Sequence, residues 1–461
     1  MEEKLQTTPR VIIHGGAGSI DPHKLPVPSR LEYFKALHSI LLSTSLLLES
    51  GATAVDASVH AVTLFEDCPL FNCSHGAVFT RTGTIELEAS LMVSRGPGSK
   101  KRAVGVNMLK RVKHPIQLAK EMLVRGDREM DIGFGWLPGE DGMGDEGCAG
   151  GHVQLCGETA EIFAKNWGLE MVEPEYFFTE KRWNEHIRGL EREKKLRQQL
   201  RQNPLAARTN PNPQEDTGEP LPQGTVGCVC LDRYGDLATA TSTGGLTNKL
   251  PGRIGDTPTV GAGFWAEEWV KGSSPTEMLI SSLQQQQNSS TPSSIPPALH
   301  SLLYACLPSI FSSPQYSQLP QTPPTPNSDQ KSTPQVKGAH THSLALSGTG
   351  NGDTFLRLQV ARSCASLLQL SPDPTASLQG AVTAMSGPSG IMQSSAGNRW
   401  GRTGEGEGGL IGIEISAEGK GKVAFDFNSG GMWRAWVDDD GGVRVGVLRG
   451  DDDTVYQGPT R

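Results

Sequence analysis

Residues 224–263 read GTVGCVCLDRYGDLATATSTGGLTNKLPGRIGDTPTVGAG. The texture of the chain changes at Gly224, where a Pro- and Asn-rich tract over 203–223 gives way to small and β-branched residues. These alternate on either side of Tyr234-Gly235-Asp236, the pattern of two strands joined by a tight turn. Cys228 and Cys230 stand two apart on the first strand, so both thiols point to one face, and buried packing rather than metal binding is their expected use. After Thr241-Ser242-Thr243 the glycines and Pro251 break the strand pattern into a loop that carries Arg253 and Asp256.

Working outward, PRVIIHGGAG at 9–18 is a short apolar strand running into a glycine-rich turn. Apolar positions at helical spacing from Leu31 to Glu49 stop at Gly51, and Thr53 with Asp56 three residues on opens a second helix. Residues 76–92 read as a hairpin about Arg81-Thr82-Gly83. Helices are expected at Pro115 to Arg125 and Glu158 to Trp167, with 132–151 an inserted loop between them. The densely charged run 180–202 reads as a solvated helix leading into a flexible linker. On the other side, 272–338 is rich in Ser, Gln and Pro and reads as disordered, with one amphipathic patch at Ala298 to Ile310. Strand, loop and helix resume at His342 to Cys364, and Lys422 to Phe427 is a further β stretch. Strands and helices are grouped in blocks instead of alternating strictly, which favours a layered α+β fold over a doubly wound parallel sheet.

The 461 residues carry a formal charge of −8, so the chain lacks the basic field with which nucleic-acid binders neutralise phosphates. A small-molecule or peptide partner is favoured. The first residues, MEEKLQTTPR, hold no apolar signal region, and no window approaches the ~18 apolar residues of a membrane span. The expectation is a soluble, cytoplasmic protein whose eight cysteines are reduced, with no nucleic-acid or membrane partner. The histidines, His340 and His342 included, show no zinc spacing.

Several further blocks decide the chemistry: HGGAG at 14–18, EDCPLFN at 66–72, GAVFT at 76–80, GLEMVEPEYFFT at 168–179, SGTGNGD at 347–353 and FNSGGMWRAW at 427–436. Together with the block at 224–263, and in the same order, they resemble the plant-type L-asparaginase, isoaspartyl peptidase and glycosylasparaginase family of threonine N-terminal-nucleophile hydrolases. The likeness omits chiefly the loops near 128–150, 185–223 and 270–340. It implies a four-layered αββα sandwich and a precursor that cuts itself between Gly224 and Thr225. Residues 1–224, with a charged and flexible linker over about 185–224, would then be one part, and 225–461, with an insertion at about 272–338, the other, together forming one domain. Gly224 lacks a Cβ and tolerates the strained backbone such a cut requires. The cut leaves an α-amine on Thr225 itself; titrating near roughly 7.7–8.0, that amine can take the proton of the hydroxyl beside it.

The resemblance also assigns roles. Thr243 is to hydrogen-bond and tune the nucleophile. Arg253, Gly255 and Asp256 belong to the motif that holds the substrate, the guanidinium suiting an α-carboxylate and the carboxylate an α-ammonium. Thr349 and Gly350 are to steady the oxyanion within a substrate loop that continues through Asn351 and Gly352. Asn72 is a substrate-site residue, and His14 has a structural part. In some relatives backbone carbonyls of the loop matching Phe65 to His75 bind sodium, but Asn72-Cys73-Ser74 replaces the usual Asn-Ala-Gly here, and loss of the glycine alters the backbone it allowed. The implied activity is hydrolysis of L-asparagine and β-aspartyl dipeptides through an acyl-enzyme on Thr225. No organic cofactor is needed, and a homodimer of cleaved αβ protomers is expected. Two other readings stand beside it. A taspase-like endopeptidase shares the Thr-Val-Gly start, although that branch lacks the aspartate retained here as Asp256. A non-enzymatic relative would act through its low-complexity segments. Glycosylasparaginase activity also stays open.

Overall fold

A computed structural model describes residues 7–20, 27–95, 103–131, 151–202, 224–271, 340–373, 375–415 and 419–449. The inserted loop expected at 132–151 lies outside these residues but for Gly151, and so do the linker 203–223 and the tract 272–338.

The apolar run after Pro9 forms β1 (Arg10–Gly18), buried from Val11 to Ala17. A strand covered on both faces reads as a continuous apolar run, as VIIHGGA does. The helical spacing that follows becomes α1 (Val27–Glu49). Thr53 caps α2 (Ala54–Glu66): the Asp56 N–H donates to Thr53 Oγ1 at 3.1 Å and the Thr53 hydroxyl donates to Asp56 Oδ2 at 2.8 Å.

The hairpin expected over 76–92 forms only in its second half, β2 (Leu87–Val93). The Thr80 N–H closes the turn onto Thr84 O at 2.7 Å. The first arm is no strand, because its backbone is satisfied elsewhere. The Asn248 N–H donates to Phe79 O and the Arg81 N–H to Lys249 O, each at 2.8 Å. There follow β3 (Ala103–Leu109), α3 (Pro115–Asp131), β4 (Gln154–Cys156), α4 (Gly157–Asn166) and α5 (Glu180–Gln202). The block at 224–263 supplies β5 (Val226–Leu231) and β6 (Leu237–Thr243). After β7 (Phe264–Lys271) and β8 (His340–Gly350) come α6 (Gly352–Leu358), α7 (Val360–Gln369), α8 (Leu378–Ser386) and α9 (Ile391–Ala396). The chain finishes with β9 (Gly408–Ile415), β10 (Gly421–Phe427), β11 (Gly431–Val437) and β12 (Val443–Gly446).

An eight-stranded sheet has the order β12-β11-β1-β5-β6-β2-β3-β4, and a four-stranded sheet the order β10-β9-β8-β7. The first is mixed, β3 and β4 running parallel and its other pairs antiparallel. Helices α1, α2 and α3 pack on that sheet, and α8 packs on β9 and β10. The class is α+β, as the grouping of elements along the chain suggests. The core under α1 to α3 is aromatic: Phe65 meets Phe71 edge-on at 4.7 Å, and Tyr33 stacks on Trp433 at 4.7 Å. A second apolar cluster joins strands of both sheets, Ile12, Val229 and Leu231 from one with Ala345, Ile411 and Ile413 from the other. Contacts divide the chain into residues 1–269 with 341–461 and a separate unit 270–340, of which only the end of β7 and the first residue of β8 are described. Among the described residues no helix is long and apolar enough to cross a membrane.

The charged helix α5 departs from expectation. It is not solvated all round, since Arg182 and His186 are buried. Arg182 Nε donates to Gly76 O at 2.8 Å, and His186 Nδ1 pairs with Asn248 Oδ1 at 2.5 Å.

Trp433, fully buried among Tyr33 and Phe34, is the largest side chain of the first cluster. Trp433→Ala is expected to lower unfolding free energy by about 3–5 kcal/mol in urea titrations; a loss below about 1 kcal/mol would contradict this packing.

Candidate active site

Strand β5 is hydrogen-bonded along both edges, with His14 of β1 opposite Gly227 and Ser242 of β6 opposite Val226. Thr225 immediately precedes the strand, so the two ladders deliver it to the end of the sheet, where it is 6% exposed. Strand β8 ends nearby, Thr349 and Gly350 lying opposite Gly409 and Gly408 of β9. The two strand ends meet at Gly224. A Cβ there would lie 2.4 Å from Thr349 Oγ1 and 3.4 Å from both Gly350 N and Ala17 O. The residue before Thr225 thus has room for no side chain, and the hydroxyl and amide that the sequence assigned to an oxyanion stand against it. Gly350 has φ +147°, with Glu407 O and Gly408 Cα each 2.4 Å from its Cβ position, so only glycine fits. Thr349 Oγ1 also accepts the Ala17 N–H at 3.2 Å, which ties the HGGAG turn to this corner.

The Thr225 hydroxyl has a partner that the sequence did not announce. Thr225 Oγ1 lies 2.8 Å from Thr257 Oγ1, a buried pair. Thr243, expected to perform this part, stands at the end of β6 and accepts the Gly245 N–H at 3.0 Å. The one signal for Thr257 in the sequence is its place directly after Asp256.

The loop after β6 carries the charged groups. Asp256 is 5% exposed, and its Oδ2 takes no hydrogen bond among the described residues. Arg253 reaches Asp353 Oδ1 at 3.3 Å, an ion pair whose acidic partner is mostly exposed. Arg253 Nη2 and Asp256 Oδ1 each lie 2.7 Å from the Cβ position of Gly352, so the two charges converge on one bare backbone surface. Beneath them the Gly255 N–H donates to Glu88 Oε1 at 3.0 Å, and the Lys249 ammonium lies 3.7 Å from that carboxylate. Glu88 and Lys249, both buried, were also missed; the signal for Glu88 was charge inside a run that is otherwise a buried strand, ELEASLM, whereas the loop around Lys249 carried none. Asn351 turns inward to cap α6, its Oδ1 accepting the Thr354 N–H at 3.0 Å.

Burial sets the electrostatics. It pushes the Asp256 carboxyl up to about 7, against its own backbone and the Arg253 charge, which pull it down. It raises Glu88 and lowers Lys249, each opposed by the charge of the other. It pushes the His14 imidazole down to about 3, the backbone of Thr225 opposing. His14 is therefore neutral at pH 7 and hydrogen-bonds Ser347 Oγ at 2.7 Å, in keeping with a structural part.

Asn72 has both ends of its side chain engaged. Nδ2 donates to Gly245 O at 2.8 Å, Oδ1 accepts the Val78 N–H at 3.0 Å, and its carbonyl accepts the Gly244 N–H at 3.0 Å. It pins the turn that follows Thr243. In the same loop Ser74 adopts φ +38°, the left-handed backbone that a glycine would take freely, and its hydroxyl donates to Lys113 O at 2.6 Å. Several of the loop's carbonyls accept backbone hydrogen bonds. Phe65 O accepts Cys68 N–H, Cys68 O accepts Phe71 N–H, Phe71 O accepts Cys73 N–H and Cys73 O accepts Gly76 N–H, at 3.0–3.3 Å. Among the described residues no three or more His, Cys, Asp or Glu side chains gather as metal ligands.

Residues 7–133 and 149–279 match the family model described as Asparaginase. The chain is 38% identical over 261 residues to the isoaspartyl peptidase of Salmonella typhimurium, covering 56% of this chain and 69% of that protein. It is 36% identical over 260 residues to the isoaspartyl peptidase of Escherichia coli, covering 56% and 67%. Likeness to the isoaspartyl peptidase/L-asparaginase of Xenopus laevis is 30% over 271 residues, covering 58% and 70%.

An ammonium group can pair with Asp256 only when the carboxyl is ionised, that is, above its value of about 7. Affinity for a zwitterionic amino acid, measured calorimetrically between about pH 5 and pH 8, is expected to fall roughly tenfold per unit below that value. Asp256→Asn is expected to bind weakly and without that slope; an unchanged slope would assign the titration to another group.

Proposed function

The chain belongs to the asparaginase family, and from that membership and the site we propose that it is an autoprocessing hydrolase of L-asparagine and β-aspartyl dipeptides. The observation that carries the reading is the corner where Gly224 lies against Thr349 Oγ1 and Gly350 N, with the Thr225 hydroxyl one residue away. Its first reaction would be its own cut. Thr225 Oγ1 attacks the Gly224 carbonyl carbon, the C–N bond breaks, the hydroxyl proton passes to the nitrogen, and water divides the resulting ester. The product is a Thr225 that carries both nucleophile and base.

A substrate is then held at both charged ends. Its α-carboxylate faces the Arg253 guanidinium, and its α-ammonium faces Asp256, one of whose buried oxygens takes no hydrogen bond among the described residues. Thr225 Oγ1 attacks the side-chain carbonyl while its α-amine takes the proton. Thr349 Oγ1 and the Gly350 N–H stabilise the oxyanion, ammonia or an amine leaves with the returned proton, and water releases aspartate. Nucleophile, base and oxyanion donors all come from the chain, so the steps call for no organic cofactor. Thr243 and Asn72 would act by holding the turn at Gly244 and Gly245, and Gly255, Asn351 and Gly352 by shaping the loop around the charged pair.

The finer architecture we infer is the four-layered αββα sandwich of N-terminal-nucleophile hydrolases. The apolar cluster shared by both sheets supports it, with helices packed on each sheet. One domain would comprise an α part, 1–224, and a β part, 225–461. A homodimer of cleaved protomers follows by analogy with the family. A reducing, cytoplasmic setting is supported by six described cysteines, all free.

Intact mass and N-terminal sequencing test the reading. Two fragments, the second starting at Thr225, are expected from the wild type and a single uncut, inactive chain from Thr225→Ala; a processed Thr225→Ala chain would overturn the assignment. Arg253→Ala is expected to be cut normally while kcat/KM on β-aspartyl dipeptides falls roughly 10- to 100-fold, the range for a lost charge-assisted bond.

A further inference from the structure

Thr257 has no part in the motifs that assign the substrate-holding and oxyanion residues, yet it is the side chain hydrogen-bonded to the nucleophile, Oγ1 to Oγ1 at 2.8 Å. Its own position is over-determined. The Thr241 hydroxyl donates to Thr257 O at 3.3 Å and pairs in turn with Ser90 Oγ, so β6 and β2 hold the Thr257 backbone from below. Pro258 follows it, and on its other side the Asp256 carbonyl accepts the N–H groups of Thr259 and Gly263 at 3.0 and 3.2 Å. With Thr257 only 1% exposed, water does not compete for the pair. Thr243 already accepts the Gly245 N–H. In the uncut chain the Thr225 nitrogen is a peptide nitrogen, so the amine that later orients the hydroxyl does not yet exist.

We propose that Thr257 is the positioning residue that sets the Thr225 hydroxyl in the uncut chain for attack on Gly224, and keeps it aligned afterwards for attack on substrate. This rests on Thr225 being the nucleophile. The cut itself leaves Thr257 unchanged: the O–C bond forms, the C–N bond breaks, the hydroxyl proton ends on the Thr225 nitrogen, and water then breaks the ester, its OH going to the Gly224 carbonyl and its proton to Thr225 Oγ1. Because Thr257 adjoins Asp256, the segment that seats the ammonium of a substrate is also the one that aims the nucleophile.

Thr257→Val keeps the shape and removes the hydroxyl, and Thr257→Ser keeps the hydroxyl. In the full-length protein, T257V is expected to slow appearance of the fragment beginning at Thr225 roughly tenfold, the worth of one hydrogen bond of about 1.4 kcal/mol, with T257S within about threefold of wild type. After maturation, kcat should fall in T257V with KM unchanged, because Arg253 and Asp256 are intact. If T257V loses its cooperative melt, T257A takes its place in the same comparison. Wild-type cutting and kcat in the hydroxyl-less variant would overturn the proposal, as would T257S slowed as much as T257V. Failure of the nucleophile reading shows separately, as a wild-type chain that stays whole, and overturns this proposal with it.

Discussion

The double ladder of β5, bonded to β1 on one edge and β6 on the other, is the constraint on which the site depends. A hydroxyl on a free loop would sample many positions; one attached to the first residue before a doubly paired strand is confined by the sheet. The same pairing brings the other parts into register. β1 carries His14 and Ala17, β6 ends at Thr243, and β8 ends at Thr349 and Gly350, which with Ala17 lie against Gly224. Three strand ends therefore meet where a side chain is excluded, and a backbone bond lies among a hydroxyl, a second hydroxyl and an amide.

Among the described residues, Asp256 Oδ2 and Glu88 Oε2, the latter beside Lys249, are buried and accept no hydrogen bond. A buried carboxylate oxygen that accepts no hydrogen bond is costly, and it persists where the surroundings leave it no alternative. For Asp256 the surroundings are set: its carbonyl accepts the N–H groups of Thr259 and Gly263, and its side chain faces the same bare glycine as Arg253. Glu88 and Lys249 work one layer down, keeping the Gly255 turn that sets the spacing between the two charges.

Much of the framework is legible in the chain because it is local. The continuous apolar run of β1, the Thr53 cap of α2 and the turn at Tyr234 to Asp236 each follow from neighbouring residues, and each occurs. The misjudged elements are those whose partners lie far away. The first arm of the expected hairpin fails because Phe79 and Arg81 bond to residues 248–249 instead, and α5 looked solvated because nothing near it in sequence announces Gly76 and Asn248 as partners of Arg182 and His186.

For the site the division is similar. By itself the sequence determined the identities that chemistry requires: a threonine after a glycine at 224–225, a guanidinium and a carboxylate three apart at 253 and 256, and a glycine-rich turn at 347–353. Only the tertiary structure decided which hydroxyl lies beside that of Thr225, which is Thr257, and that, among the described residues, one buried oxygen of Asp256 takes no hydrogen bond. The physical reason is that residue type and spacing are properties of one segment. A hydrogen bond across 32 residues, or the loss of water around a carboxylate, arises only when separate strands and loops are packed together.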